Sequence, residues 1–278
     1  MKIAVLITCH NRKEKTLACL SSLMEVLPNS EVFLVDDGST DGTLAAVKAK
    51  FPQVYIITGN GNLYWSRGMY TAWNYAIKKR SYDYYLWLND DIELYPIFFE
   101  ELINCYNLTG GNSIISGLIE DFNQKVIYGG YDKHKNLLHG TGALQEITFM
   151  NGNVVLIPQL VVDKIGILDP KFQHDLGDVD YGLRAIKAGI KVYSTRRAIA
   201  LGYSNNFCRV RKWNTNIRDR LKILYSPLGA NPKINFYFRK KHFGILNASL
   251  YWAFLHFINF LPDKLVAIFF GNRYCDKF

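Results

Sequence analysis

The chain has no Cys-x-x-Cys pair, and its five cysteines (Cys9, Cys19, Cys105, Cys208 and Cys275) are odd in number and widely scattered. A disulfide framework and a structural zinc site are therefore not expected, and a reducing compartment is the natural setting. No uninterrupted apolar run reaches the roughly eighteen residues of a conventional membrane span, so no crossing helix is expected. The opening run Ile3-Ala4-Val5-Leu6-Ile7 is too short for a secretory signal, and His10-Asn11-Arg12 follows at once; it reads as a buried first strand. Gly-x-x-x-x-Gly-Lys-Ser/Thr is absent, and no Gly-x-Gly-x-x-Gly follows the first strand, which disfavours ATP hydrolysis and dinucleotide binding. Acids are scarce in one stretch: Arg196 to His242 holds twelve Lys/Arg and a single acid, Asp219. The whole chain carries +9, so everything outside that stretch is slightly acidic. A roughly neutral domain with a basic C-terminal face fits this distribution, and a general nucleic-acid binder does not.

Apolar and aromatic surface is plentiful. With 278 residues, 49% hydrophobic and 21% charged, the chain can bury one large core or two small ones, and disorder is excluded. Aromatics at 14%, with 18 Tyr and 17 Phe, suit a protein that handles sugars, nucleotides or membrane. Apolar runs of strand length at 3–8, 32–35, 54–58 and 84–88 alternate with helical spacing at 13–27, about 41–47 and 66–79. That alternation predicts crossover units and a mostly parallel, Rossmann-like α/β sheet. After Pro96 the strands at 113–119, 125–128 and 154–157 follow without helices between them, so antiparallel additions are expected. Helices over 159–166 and 177–188 and a strand over 190–193 complete this part, ahead of a basic stretch beyond Thr195 and an aromatic tail.

Ligands of open α/β sheets sit outside the carboxyl ends of the strands. Four strands here end in polar residues: Thr8-Cys9-His10-Asn11-Arg12, Asp36-Asp37-Gly38-Ser39, Gly59-Asn60-Gly61-Asn62 and Asn89-Asp90-Asp91. Each alone is an ordinary turn composition; side by side they would make one polar crevice. Adjacent carboxylates after the apolar Tyr84–Leu88 run need a compensating cation, and Mg²⁺ characteristically takes one or two carboxylates plus phosphate oxygens. One Asp on the metal and its neighbour on ribose or water would suit a nucleotide diphosphate. In a second cluster, Asp178 stands at the start of a predicted helix, as a cap or as a general base. Asp180 is placed to pair with Arg184 four positions on. Trp73 reads as core; Tyr64 and Trp65 follow the glycine loop, where an aromatic ring can stack on sugar or base. His10 is equally structural or donor-contacting, and nothing recommends His134 or His139 as ligands.

These pieces, with Gly61-Asn62-Leu63-Tyr64-Trp65 and Gly177-Asp178-Val179-Asp180-Tyr181-Gly182-Leu183-Arg184, come in an order and spacing that resembles the family 2 glycosyltransferases of the GT-A fold. The resemblance is particularly to the rhamnosyltransferase-like and galactofuranosyltransferase-like bacterial members. The resemblance covers about 2–206 and implies a GT-A domain over 1–206, with a nucleotide-binding half (about 1–115) and an acceptor half (about 116–206). A basic, aromatic helical extension follows over 207–278. It implies a nucleotide-sugar donor, dTDP- or UDP-linked with a leaning to dTDP-rhamnose, and an inverting transfer assisted by Mg²⁺ or Mn²⁺. Thr8, Asn11, Arg12, Asp36, Asp37, Gly61, Asn62, Trp65, Asn89 and Asp90 would serve the donor, Asp91 the metal, and Asp178 would be the base. The first acid of the family's Asp-x-Asp motif is Asn89 here, and no histidine follows the final strand at Ala200-Leu201-Gly202-Tyr203, so the metal would be weakly held without donor.

The basic residues beside the aromatic tail suit the surface of an anionic membrane, with peripheral attachment to the cytoplasmic leaflet near a lipid-linked saccharide acceptor. A tail packed on the domain itself, or on a second subunit in a homodimer, is the alternative. Two other functions compete: a sugar nucleotidyltransferase, which should show a glycine-rich loop with Arg where His10-Asn11-Arg12 stands, and a catalytically inactive scaffold of a glycan assembly complex, against which Asp91 and Asp178 argue.

Overall fold

The structure, a computed structural model, describes residues 1–204, 208–270 and 274. The chain divides into two compact units, Met1–Pro170 with Gly177–Ser204, and Lys171–Leu176 with Asn205–Phe278. The expected boundary at 206/207 and Cys275 lie outside the described residues. The short stretch Lys171–Leu176, assigned by sequence to the acceptor half, groups with the C-terminal unit.

In the first unit, β1 (Ile3–Cys9), β2 (Glu31–Asp36), β3 (Tyr55–Thr58) and β4 (Tyr84–Leu88) alternate with α1 (Lys13–Val26), α2 (Thr43–Lys50) and α3 (Tyr64–Lys79). Then come β5 (Glu93–Leu94), α4 (Phe98–Leu108), β6 (Ser113–Glu120), β7 (Val126–Tyr128), β8 (Gly130–Tyr131), β9 (Phe149–Met150), β10 (Val154–Pro158), α5 (Gln159–Ile165), α6 (Gly177–Lys187) and β11 (Lys191–Leu201). The main sheet runs β3-β2-β1-β4-β10-β6-β11-β5, with β7 beside β6, while β8 and β9 pair separately. Strands β3, β2, β1 and β4 are parallel, as their nearly unbroken apolar runs require. β10 is antiparallel to both β4 and β6, with Val154 opposite Leu88. The beginning of β10 therefore lies beside the carboxyl end of β4.

Two apolar layers cover the sheet, one under α1 and α4 and one under α3 and α6. In the second layer Trp73, Trp87, Tyr85 and Tyr181 pack ring against ring, with centroids 5.3–5.5 Å apart. Trp73 is fully buried, as its helical spacing predicts.

One element is unforeseen and one expectation needs correction. The helix α4 lies in a stretch, 97–112, to which no element is assigned by sequence, and it starts shortly after Pro96. The last strand runs on to Leu201, well past the expected end at Tyr193. Thr195 in its polar middle finds partners: its hydroxyl accepts the Leu118 N–H (2.9 Å) and donates to the Arg197 carbonyl (2.8 Å). Arg196 and Arg197 both pair with the buried Glu101 of α4, at 2.7 and 3.5 Å, so the basic stretch does not form one C-terminal face from its first residue.

The second unit holds α7 (Ile217–Tyr225), α8 (Pro232–Phe243), α9 (Ile245–Phe260) and α10 (Asp263–Phe270). Its small core joins Val210, Leu224, Leu255 and Ile258. The fully buried Arg211 donates to the carbonyls of Ile258 and Leu261 and pairs with Asp263. Arg220 adds bonds to the Asn259 and Leu261 carbonyls and to Asp263, so two guanidiniums close the carboxyl end of α9. Among the described residues, no helix is long and apolar enough to cross a membrane.

Candidate active site

The site is assembled at the carboxyl ends of β1, β2 and β4. Asp37, just beyond β2, is buried, and its two oxygens accept three backbone N–H groups, from Gly61 (2.8 Å), Leu63 and Tyr64 (2.9 Å each). A carboxylate thus folds the Gly59–Tyr64 loop back onto β2 and starts α3. It also steadies Tyr64, whose φ of +56° is unusual for a bulky side chain. Asp36 accepts the Ser39 N–H (3.0 Å) and is likewise buried. Asn11, at φ +50°, accepts the Thr40 N–H at its side-chain oxygen (2.7 Å) and donates its own backbone N–H to Ser39 Oγ (2.9 Å), tying the loop after β1 to the loop after β2. With its proton on Nδ1, His10 donates to the Asp37 carbonyl (2.7 Å) and accepts from Asn11 Nδ2 (3.1 Å). Thr8 lies against Gly68 of α3, where a Cβ would collide with its hydroxyl.

The acidic pair follows β4. Asp90 is buried, Asp91 keeps 11% of its side-chain surface, and one Arg12 nitrogen reaches both, at 3.2 Å and 2.8 Å. Thr16 donates a further bond to Asp90 (3.2 Å). Burial nevertheless pushes the Asp90 carboxyl up to about 6, against the pull of Arg12 and with the push of Asp91. Local cations therefore do not fully compensate Asp90. All-oxygen donors with uncompensated charge fit a hard divalent cation, Mg²⁺ or Mn²⁺. Among the described residues no group of three or more His, Cys, Asp and Glu converges, so a cation here would need oxygens from its ligand. The neighbouring thiols of Cys9 and Cys19 are buried, and burial raises both, which leaves them neutral and not ligands; Cys19 donates to the Asn89 carbonyl (3.3 Å).

Asp178, at the start of α6, stands on the other flank. Its oxygens accept the Gly152 N–H (2.9 Å) and the Val179 N–H (2.8 Å). Burial raises its proton affinity, and these two donors pull it partly back. The helix is anchored by Asp180, which pairs with Arg184 at 2.9 Å as its spacing predicts; Arg184 also donates to the Ile165 and Ile167 carbonyls. Trp65 joins the flanks. Its indole N–H donates to Asn89 Oδ1 (2.7 Å), and Asn89 Nδ2 donates to Asn153. Its six-membered ring presses on Gly152, where a Cβ would stand 2.6 Å from Trp65 Cζ2 and 3.0 Å from Asp178 Cβ. The ring is in turn edge-on to Trp87, at 5.8 Å.

The structure thus brings Thr8, Asn11, Arg12, Asp36, Asp37, Trp65, Asn89, Asp90, Asp91 and Asp178 to one edge of the first unit. Gly61 serves through its N–H to Asp37 and its φ of +80°, while the exposed Asn62 bonds locally to Asn60. Sequence reasoning passed over Asn151-Gly152-Asn153, which holds both Asp178 and Asn89. The available signal was a polar Asn-Gly-Asn run directly before an apolar strand, the mirror image of the polar runs that end the others.

A mostly parallel sheet with carboxylates on both flanks of its ligand edge is the frame of a GT-A glycosyltransferase. The chain belongs to glycosyl transferase family 2, whose family model matches residues 4–151, just over half of it. It is 28% identical over 172 residues to an uncharacterized glycosyltransferase of Rickettsia typhi, covering 56% of this chain and 50% of that one. It is 30% identical over 169 residues to another of Rickettsia bellii, covering 58% of this chain and 22% of the relative. The chain thus spans half or less of the length of these curated relatives. Among solved structures it is similar to S. aureus TarS, with a TM-score of 0.56 at 16% identity over 87% of this chain and 44% of that one. A TarS 1–349 structure gives 0.54 at 13% over 90% and 72%. Likeness at these identities is a likeness of fold.

Proposed function

We propose that the chain is an inverting, metal-dependent hexosyltransferase. It would move a sugar from a dTDP- or UDP-linked donor to a lipid-linked saccharide or polysaccharide, in cell-surface glycan synthesis such as O-antigen or capsule. Rhamnose is the sugar favoured by the resemblance of the motifs, and the inner face of the cell membrane is the favoured place. The observation that carries this reading is the pairing of flanks: Asp178 on Gly152, and Asn89-Asp90-Asp91 on the other side of the same Trp65 ring.

In the transfer, the acceptor hydroxyl oxygen bonds to the anomeric carbon from the side opposite the leaving diphosphate. The bond between that carbon and the diphosphate oxygen breaks, and the hydroxyl proton passes to Asp178. Each Asp178 oxygen has one backbone donor and a lone pair left to accept that hydroxyl. Burial gives Asp178 more proton affinity than an exposed carboxylate, which suits a base. Arg12 brings fixed positive charge to the edge where the diphosphate charge grows. Trp65 and Asn89 fix the spacing between the base and the acidic pair. A divalent cation held by Asp91, with Asp90 supporting, would supply Lewis-acid stabilisation of the leaving nucleoside diphosphate.

The test is a panel of nucleotide sugars, with and without Mn²⁺, read by donor consumption and by the anomeric configuration of the product. Cation-dependent turnover with inversion is expected, and Asp178→Asn should lower kcat about 10²–10⁴-fold with the fold intact. A chain that consumes no donor under any condition would be a scaffold, and retention of configuration would remove the assigned role of Asp178.

A further inference from the structure

The second unit leaves one side of its most apolar helix in water. In α9 the positions Ala248, Leu255, Ile258 and Asn259 are buried. The opposite stripe, Leu246, Leu250, Ala253, Phe257 and Phe260, recurs at alternating steps of four and three residues and is exposed throughout. Its four large side chains keep 58–72% of their surface, and α10 adds Ile268 and Phe269 at 73% and 72%. A helix apolar on both sides needs an apolar medium on both, and the fold supplies one.

Charge selects the medium. Every described acid of this unit is already matched: Asp175 by Arg209, Asp219 by Lys222, and Asp263 by Arg211 and Arg220. Lys212, Arg218, Lys233, Lys240, Lys241 and Lys264 stand at exposed positions. Arg239 of α8 lies alongside α9, 3.5 Å over the Tyr251 ring and bonded to Asn247 (2.8 Å), and Lys264 directly precedes the exposed Leu265. A second copy would set one strongly basic unit against another, whereas anionic headgroups offer the opposite charge. The 16 residues of α9 extend about 24 Å, short of the roughly 30 Å hydrocarbon layer, so the helix can lie in a bilayer surface and not cross it.

We infer that the exposed side of α9 and α10 is a docking surface for an anionic phospholipid membrane, with α9 lying in the interface plane. Leu246, Leu250, Phe257 and Phe260 enter the acyl boundary, and the lysines meet the headgroups. This deepens the inner-leaflet reading above and rests on it for the choice of membrane.

The test uses the full chain and sedimentation with vesicles of phosphatidylcholine alone or mixed with phosphatidylglycerol. The mixed vesicles should bind it, and raising salt from about 0.1 to 0.5 M should weaken binding as screening shortens. The double variant Leu250→Glu/Phe257→Glu should lower binding by on the order of tenfold or more, while melting and donor consumption stay at wild-type levels. Undiminished binding by that variant would overturn this surface while sparing the membrane reading; no binding by the wild type to either vesicle would overturn both. Equal binding to phosphatidylcholine alone would overturn the choice of anionic lipid. A dimer dispersed by the same substitutions, without vesicle binding, would assign the surface to a second copy and overturn the proposal.

Discussion

Asp90 acts against the stability of the domain that holds it. Its folded carboxyl, pushed up to about 6 by burial, lies above the roughly 3.9 of an unfolded aspartate, so the native state binds its proton more tightly. The resulting stabilisation is complete below about pH 4 and is lost as pH rises through about 6, leaving an ionised group that costs on the order of 3 kcal/mol at neutral pH. Asp90→Asn should therefore melt higher than the wild type at pH 7.5 and show a flatter melting temperature between pH 4 and 6. It should also consume donor more slowly. Thermal denaturation across pH checks this, and an unchanged pH profile would remove Asp90 as the source of the cost. A carboxylate kept at such a cost beside Asp91 is expected of a site that meets a cation in use.

At the scale of elements, the loop before β10 sets the spacing between the two flanks. Gly152→Ala would thrust a methyl group between Trp65 and Asp178, 2.5 Å from the ring and 3.0 Å from the Asp178 Cβ. Overpacking of this kind costs about 1–3 kcal/mol in stability, while a displacement near 1 Å costs on the order of 10²-fold in rate. A large fall in kcat with a small change in melting is expected from steady-state kinetics and calorimetry. The parallel half of this frame was legible in the sequence, because apolar runs ending in Asp, Asn and Gly state both the strand and its ligand end locally. The pairing of Asp180 with Arg184 was legible for the same reason, being set by helical spacing alone. The polar middle of β11 was not, since Thr195 and Arg196 are satisfied by Leu118 and Glu101, far away in sequence. Nor was the role of Asp37: as a turn former it resembles Asp36, and only the folded loop shows three N–H groups converging on it. Arg12 was assigned by resemblance to the donor, and its contacts with both acids appear only once β1 and β4 are side by side.

Across the whole molecule, net charge conceals separate arrangements. Arg196 and Arg197 neutralise a buried glutamate in the first unit, and Arg211 and Arg220 close a helix end in the second. Burial raises the Asp263 carboxyl, but the Asn214 N–H and the two guanidiniums hold it below its ordinary value. Its contribution is therefore present at neutral pH and is lost as the medium becomes acidic, below about pH 4. Asp263→Ala would strand the fully buried Arg211, and breaking a buried ion pair costs about 3–5 kcal/mol. Faster amide hydrogen exchange at the carboxyl end of α9 is the expected outcome, with the amides of β1 and β4 unaffected.

The reversed direction of β10 has a consequence for how such a domain can diversify. Because this strand begins where β4 ends, the loop that holds the base and the acidic pair are mounted on adjacent rails about 4.8 Å apart, a gauge fixed by backbone hydrogen bonding. Between β8 and β9 the exposed tip at 133–136 can change in length without altering that gauge, whereas the stretch before β9 is pinned to β11, the buried Ile147 donating its N–H to the Val192 carbonyl (2.8 Å).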